Sequence, residues 1–238
     1  MIKIGIDVGS TTVKLVAIDE NDNLLFSKYE RHNAKAKETI LSFLKELLSE
    51  IGDKDISLRI TGSIGMGISE KCSLPFVQEV VAAAKAIQKD YSHVTSMIDI
   101  GGEDAKVVFF KDGEATDLRM NGNCAGGTGA FIDQMSIILG VNIDELNHLA
   151  MNAKQVYLIA SCCGVFCKTD IQNLIAKNVS RENIAASIFR AVAVQTVVTL
   201  AHGCDITTPV LFCGGPLTFI LALRKAFIDY LSFDEQEI

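Results

Sequence analysis

An internal repeat constrains this chain more than any other feature of its sequence. Residues 2–6 and 13–18 are β-rich runs, and Asp7-Val8-Gly9-Ser10-Thr11-Thr12 lies between them. Further on, 96–100 and 105–110 are again β-rich and enclose Asp99-Ile100-Gly101-Gly102-Glu103-Asp104. A strand that reaches Asp, turns through Gly and returns as a second strand therefore occurs twice. Self-similarity at this scale predicts two alike α/β lobes with a cleft between them, assigned to residues 1–95 and 96–238.

The stretches around the repeat fit that plan. Asp22-Asn23 is a turn signal before a third run at 24–26. Ile40, Phe43, Leu44, Leu47, Leu48 and Ile51 recur at helical spacing, so 36–51 is expected to be an amphipathic helix stopped by Gly52. A short strand at 58–61 should lead into a Gly-rich turn at 62–67, then a helix over 75–89. Asp112-Gly113 reads as a hairpin turn. The second half is mostly helical, with helices expected at 126–139, 144–151 (Asp144 as N-cap), 164–177 and 180–201 (Ser180 as N-cap). A buried strand at 209–213 runs into Gly214-Gly215, and 216–231 is a final helix.

Composition narrows the function classes. A chain of 238 residues that is 49% hydrophobic and 21% charged can bury a large core without disulfides. The net charge of −7, with no Lys/Arg cluster to offset it, argues against nucleic-acid binding. No apolar run of the ~18 residues a membrane helix needs escapes interruption by charge or Gly, so no membrane span is expected. The N-terminus enters a strand at once, which predicts no signal peptide and a cytoplasmic, thiol-reducing setting. Seven cysteines, an odd number, argue against a closed disulfide framework.

The two Asp–Gly turns have the chemistry of phosphate loops. Gly lets backbone N–H groups approach a phosphate, hydroxyls add donors, and an Asp at the strand end can order Mg²⁺ through its waters. Gly214-Gly215 after an apolar strand is a third such element, while the GxxxxGK pattern is absent. These stretches resemble the phosphate-1, phosphate-2 and adenosine motifs of the actin-like ATPase superfamily of sugar kinases, Hsp70 chaperones and actin. The resemblance implies an α/β fold of two ribonuclease-H-like lobes with ATP or ADP and Mg²⁺ in the cleft. It implies that Asp7 and Asp99 bracket the metal, and that Gly9, Ser10, Thr11, Thr12, Gly101 and Gly102 wrap the phosphates. Lys14 becomes a candidate phosphate contact, and Gly214 and Gly215 lie near the adenosine. The superfamily also closes its fold with a Gly/Ala-rich segment, which this sequence does not contain before Ile238.

The cysteines carry the second signal. Cys124 precedes Ala125-Gly126-Gly127-Thr128-Gly129 at one expected helix start, and Cys163 precedes Gly164 at the next. Unpaired N–H groups and the positive end of a helix dipole stabilise a thiolate. The spacing of a four-ligand single-chain cluster is absent, which leaves two readings: small buried residues with no ligand, or two thiolates that meet their symmetry mates to complete a site. The four histidines (His32, His93, His148, His202) show no zinc spacing to the cysteines. Here the chain resembles the ATP-dependent activators of 2-hydroxyacyl-CoA dehydratases and the related benzoyl-CoA reductase ATPase subunits. Those carry D-I-G-G-Q-D-S-K, N-x-x-C-A-A-G-T-G and C-T-V-F-A-E-S-E. This sequence has DIGGEDAK from Asp99, NGNCAGGTG from Asn121 and CGVFCKTD from Cys163. It departs from the pattern at Glu103, at Gly126 and at Cys167-Lys168-Thr169-Asp170.

That resemblance implies a 4Fe–4S cluster held by Cys124 and Cys163 of two subunits, in a homodimer or a pairing with a second actin-like domain. It also implies a ferredoxin or flavodoxin donor and an iron–sulfur dehydratase or reductase as acceptor. Gly127 and Thr128 join the nucleotide-binding set, and Glu103 and Asp104 are the nearest candidates to orient the attacking water. Because Gly62-Ser63 and 76–80 resemble longer, fused activase-like proteins, the acceptor need not act on a 2-hydroxyacyl-CoA. Cys167 is either a core residue, an extra ligand or a redox-sensitive thiol. Cys162 is expected to be packed or solvent-facing, and Cys72, Cys204 and Cys213 to be core residues. A sugar or amino-sugar kinase and a non-redox actin-like module are the competing readings.

Overall fold

The computed structural model describes residues 1–112, 114–121, 126–161 and 163–234, in two compact units, Met1–Ala86 and Ile87–Ile238. In the first, β1 (Ile2–Val8), β2 (Thr12–Ile18) and β3 (Leu24–Arg31) form an antiparallel meander. Helix α1 (Ala36–Ile51) crosses over to β4 (Ile56–Thr61), which pairs parallel to β1, giving the order β3-β2-β1-β4. Strict alternation along β1 and β2 builds the core: Ile2, Ile4, Ile6 and Val8 with Val13, Leu15 and Ala17 are buried, against Phe43, Leu47 and Ile51 of α1. Each large apolar side chain buried this way contributes roughly 1.5–3 kcal/mol. Two further helices follow, α2 (Gly65–Cys72) and α3 (Glu79–Asp90).

The second unit repeats the winding. β5 (Ser96–Ile100), β6 (Ala105–Lys111) and β7 (Glu114–Met120) form the meander. The crossover runs through α4 (Gly129–Leu139), α5 (Ile143–Met151), α6 (Gly164–Ala176) and α7 (Arg181–Leu200). Then β8 (Val210–Cys213) pairs parallel to β5, in the order β7-β6-β5-β8. The chain continues through α8 (Gly215–Phe219) and α9 (Leu221–Leu231). The expected repeat is thus a repeat of sheet topology, strand for strand.

Helix α7 is interrupted by Arg190, as expected of every long apolar run in this chain. It is long and apolar enough to cross a membrane by length and composition alone, and 56% of that window is buried inside the unit. Ile184, Ile188, Phe189 and Val192 sit in the core with Ile98, Ile100 and Val107 of the sheet and Leu223 and Phe227 of α9.

Other boundaries also differ. The helix expected over 75–89 begins only at Glu79. Before it, Ile60 N–H donates to Pro75 O (3.0 Å) and Val77 N–H to Ile60 O (2.9 Å), so this stretch lies along β4 as a sheet margin. The Gly-rich turn at 62–67 already contains the start of α2, and α4 starts at Gly129 rather than 126. The final helix is broken at Ile220, which is extended (φ −103, ψ 92). The edge strand β7 went unread because most of its side chains are polar or exposed. The Asp112-Gly113 turn lies partly outside the described residues, at Gly113.

The N-cap of α5 is Asn142, not Asp144. Its side chain accepts from Glu145 N–H (2.8 Å) and Glu145 Oε2 accepts from Asn142 N–H (3.0 Å), a reciprocal capping box. We expect Asn142→Ala to lower unfolding free energy by about 1 kcal/mol in urea titrations, with Asp144→Ala costing clearly less.

Candidate nucleotide loops and thiol site

In the first unit, Gly9 N–H donates to Thr12 O (3.0 Å) and closes the turn between β1 and β2. The strand register then sets Asp7 opposite Lys14 on one side and Thr61 of β4 on the other. Lys14 Nζ lies 2.7 Å from Asp7 Oδ2 and 5.6 Å from the Tyr29 ring centroid, so the candidate phosphate lysine is paired with the candidate metal carboxylate. Asp7 is half-buried, so this pair is shielded from water more than an exposed one.

The second unit builds the same turn. Gly101 N–H donates to Asp104 O (2.8 Å), and the register sets Asp99 opposite Lys106 and Cys213. Lys106 therefore occupies the place that Lys14 holds in the first unit. It is 4% exposed, and its Nζ lies 2.8 Å from Asp104 Oδ2. The matching seven-residue spacing from each Asp to its Lys was a readable signal that sequence reasoning passed over. Glu103 is exposed beside Asp104.

Both units share a close approach where the parallel strand ends. Gly214 (φ 86) follows β8, and a Cβ there would lie 2.0 Å from Ile100 O and 2.5 Å from Asp99 Oδ1. Gly62 (φ 93) follows β4, and a Cβ there would lie 2.4 Å from Val8 O and 2.5 Å from Asp7 Oδ1. Only Gly fits a left-handed conformation pressed against a backbone carbonyl. Gly62 is thus the counterpart of Gly214, a role the sequence pattern did not suggest. Gly215 opens α8, whose first turn is closed on Gly214 O by Thr218 N–H (3.0 Å) and Thr218 Oγ1 (2.8 Å).

Helix α4 is docked on the second loop. Gly129 N–H donates to Gly101 O (2.9 Å) and Ala130 N–H to Gly102 O (2.7 Å), with buried Thr128 as N-cap and Gly127 before it. The amides expected to stand unpaired at this helix start are therefore used by the loop at these two positions. Cys124, with Gly122, Asn123 and Ala125, lies outside the described residues.

Cys163 is where the sequence placed it, the extended N-cap of α6 (φ −148, ψ 124), half-buried. It borders an open groove of ≈ 420 Å³ with Gly126, Phe131, Ile138 and Lys168. Apolar side chains stand exposed around it: Ile137 at 76%, Val165 at 70% and Phe166 at 63%. Among the described residues, no group of three or more His, Cys, Asp or Glu side chains is gathered to hold a metal ion.

The remaining cysteines divide. Cys167 is fully buried, and burial pushes its thiol up to about 12, with the Asp170 carboxylate adding to the rise. Its burial among core residues is that of a small core filler. Cys72 is exposed and Cys204 and Cys213 are partly exposed, against the expectation of core positions. Cys204 Sγ lies 3.0 Å from Arg119 Nη2, which also donates to Asp117 Oδ2, while Arg119 Nη1 donates to the Leu200 and His202 carbonyls. Cys162 lies outside the described residues.

Two like-wound units, each closing an Asp-bearing strand with a glycine turn, define a two-lobed actin-like fold of the nucleotide-hydrolysing class. The sequence matches the BadF/BadG/BcrA/BcrD ATPase family over residues 4–238, and the chain belongs to that family. It is 28% identical over 214 residues to the (R)-2-hydroxyglutaryl-CoA dehydratase activating ATPase of Acidaminococcus fermentans, covering 89% of this chain and 82% of that protein. The crystal structure of component A of that organism's dehydratase superposes with a TM-score of 0.88 at 26% identity, over 98% of this chain and 90% of the other. The activator of 2-hydroxyisocaproyl-CoA dehydratase from Clostridium difficile, with bound ADPNP, superposes with a TM-score of 0.86 at 27% identity, over 98% and 87%. The expected family and fold class are both borne out.

Gly214→Ala should lower the melting temperature and abolish most of the stabilisation that ADPNP confers in a thermal-shift assay. Gly203→Ala, also at positive φ (79) but with open space around it, should cost only about 1–2 kcal/mol and leave the nucleotide response intact. Cys167→Ala should lower stability by about 1 kcal/mol with ATPase activity unchanged.

Proposed function

We propose that this ATPase couples nucleotide turnover to the delivery of single electrons to an iron–sulfur enzyme of the 2-hydroxyacyl-CoA dehydratase or benzoyl-CoA reductase kind. Family membership and the relatives' activator names support the class of acceptor. The observation that carries the reading on this chain is the bonding of the Gly129 and Ala130 amides to the Gly101 and Gly102 carbonyls. A loop that reshapes as phosphates arrive or leave must carry the start of α4 with it, and Cys124 lies just before that start.

Each loop cradles phosphate through its backbone N–H groups, helped by the Ser10, Thr11 and Thr12 hydroxyls. Gly127 and Thr128 serve the same ligand, and Gly214 and Gly215 leave room for the adenosine. Asp7 and Asp99 would hold Mg²⁺ through its waters, which would neutralise phosphate charge when bound; Lys14 would serve as a phosphate contact, and Glu103 or Asp104 would orient the attacking water. Cys124 and Cys163, with the same pair from a second copy or a second actin-like domain, would hold a 4Fe–4S cluster, which supplies a one-electron store when bound. Cys163 suits that role by its place at a helix start on an exposed face, and Ile137, Val165 and Phe166 give a second copy an apolar rim to cover. A ferredoxin or flavodoxin is the donor, and the cytoplasm supplies the reducing setting such thiols need.

Protein purified without oxygen should be a brown dimer with about two iron atoms per chain. Cys124→Ala and Cys163→Ala should each lose the iron while still binding nucleotide. A colourless, iron-free monomer from anaerobic preparation overturns the redox reading. ADP release that depends on an added sugar would favour a kinase instead.

A further inference from the structure

We infer that His32 is a positioning residue for the first phosphate loop, its imidazole setting the orientation of the Gly9–Ser10 peptide before nucleotide arrives. The inference rests on reading Gly9 to Thr12 as a phosphate cradle.

His32 follows β3 and is only 5% exposed. Its ring lies 3.2 Å from Gly9 O through Nε2, and its Nδ1 accepts from Ala34 N–H at 3.1 Å. A backbone N–H can only donate and a carbonyl can only accept, so the two contacts together select the neutral ring with its proton on Nε2. The residue grips the loop a second time through its own backbone, whose N–H donates to Thr11 O (3.1 Å).

The geometry of the peptide group gives these contacts a consequence. In a trans peptide the C=O and N–H point in opposite directions. Holding Gly9 O against the ring therefore aims Ser10 N–H away from His32, and holding Thr11 O does the same for Thr12 N–H. The Gly9–Ser10 peptide is the one fixed by a side chain, so it is the one a substitution can release. Gly at position 9 leaves that peptide otherwise free to rotate, which is why a clamp matters there.

The turn that returns the ring to the loop is itself strained. Asn33 (φ 46) and Ala34 (φ 63) are consecutive left-handed residues. For Ala that conformation costs roughly 1–2 kcal/mol. Lys35 N–H donating to His32 O (2.7 Å) and Ala34 N–H donating to the ring hold the turn closed. Strain kept in place beside a ligand loop is a mark of preorganisation.

The test compares His32→Phe, which keeps the ring's bulk and loses both hydrogen bonds, with His32→Gln, which keeps a donor at similar reach. The readouts are the melting temperature and the KM and kcat for MgATP. His32→Phe should raise KM about tenfold with kcat within about twofold, as expected for loss of one buried hydrogen bond that presets ground-state binding. His32→Gln should recover KM to within about threefold of wild type. A folded His32→Phe protein with wild-type KM overturns the inference, as does a His32→Gln variant no better than His32→Phe. Should His32→Phe fail to fold, ¹⁵N-histidine NMR of the wild-type chain decides. An Nε2–H tautomer whose resonances shift on adding ADPNP supports the role, and resonances indifferent to ADPNP overturn it. Wild-type protein that binds no ADPNP overturns the reading of the loop itself, and that result appears before any variant is made.

Discussion

Both units depend on one constraint, the meeting of two parallel strand ends with no room for a side chain between them. Where β1 and β4 stop together, Gly62 presses on the Val8 carbonyl and the Asp7 carboxylate. Where β5 and β8 stop together, Gly214 does the same to Ile100 and Asp99. The contact fixes the carboxylate at each strand end and forces the chain to turn at once, into α2 on one side and α8 on the other. The adjoining hairpin then puts a lysine opposite each Asp by register alone.

The second unit adds what a plain nucleotide-binding lobe would not need. The carbonyls of its loop accept the first amides of α4, so loop and helix form one hydrogen-bonded body. A helix start normally offers its orphan N–H groups to solvent or to an anion. Here two of them bind the loop, which ties the start of the helix to the loop's backbone. Cys163 caps the start of α6 among exposed apolar side chains, while Cys167, one turn on, is sealed in the core with its thiol pushed up. Two cysteines one turn apart thus differ in burial because one precedes the first turn and the other faces inward from it.

Much of this was legible in the sequence, and the reasons are local. The β-rich runs at 2–6 and 13–18 identified the strands, because β-branched and apolar residues suit a half-buried sheet. The Asp–Gly turns were readable because few residue types serve a tight turn beside a phosphate. The misreadings share another cause. Residues 75–78 carry an apolar content that suits a helix as well as a sheet margin, and the outcome was set by hydrogen bonds to Ile60. Asp144 and Asn142 are both good caps, and only the reach to Glu145 decided between them. Cys72 and Cys213 looked like core residues from apolar neighbours in sequence, yet exposure depends on what packs over them.

By itself, the sequence determined the repeat, the Asp–Gly turns and the cysteine at the start of α6, since each is a short-range pattern of residue type and spacing. Only the tertiary structure decided that Gly62 matches Gly214 and that His32 clamps Gly9 from the far end of β3. Those relations join residues distant along the chain, and they exist only once strand register and close packing have brought the backbones together.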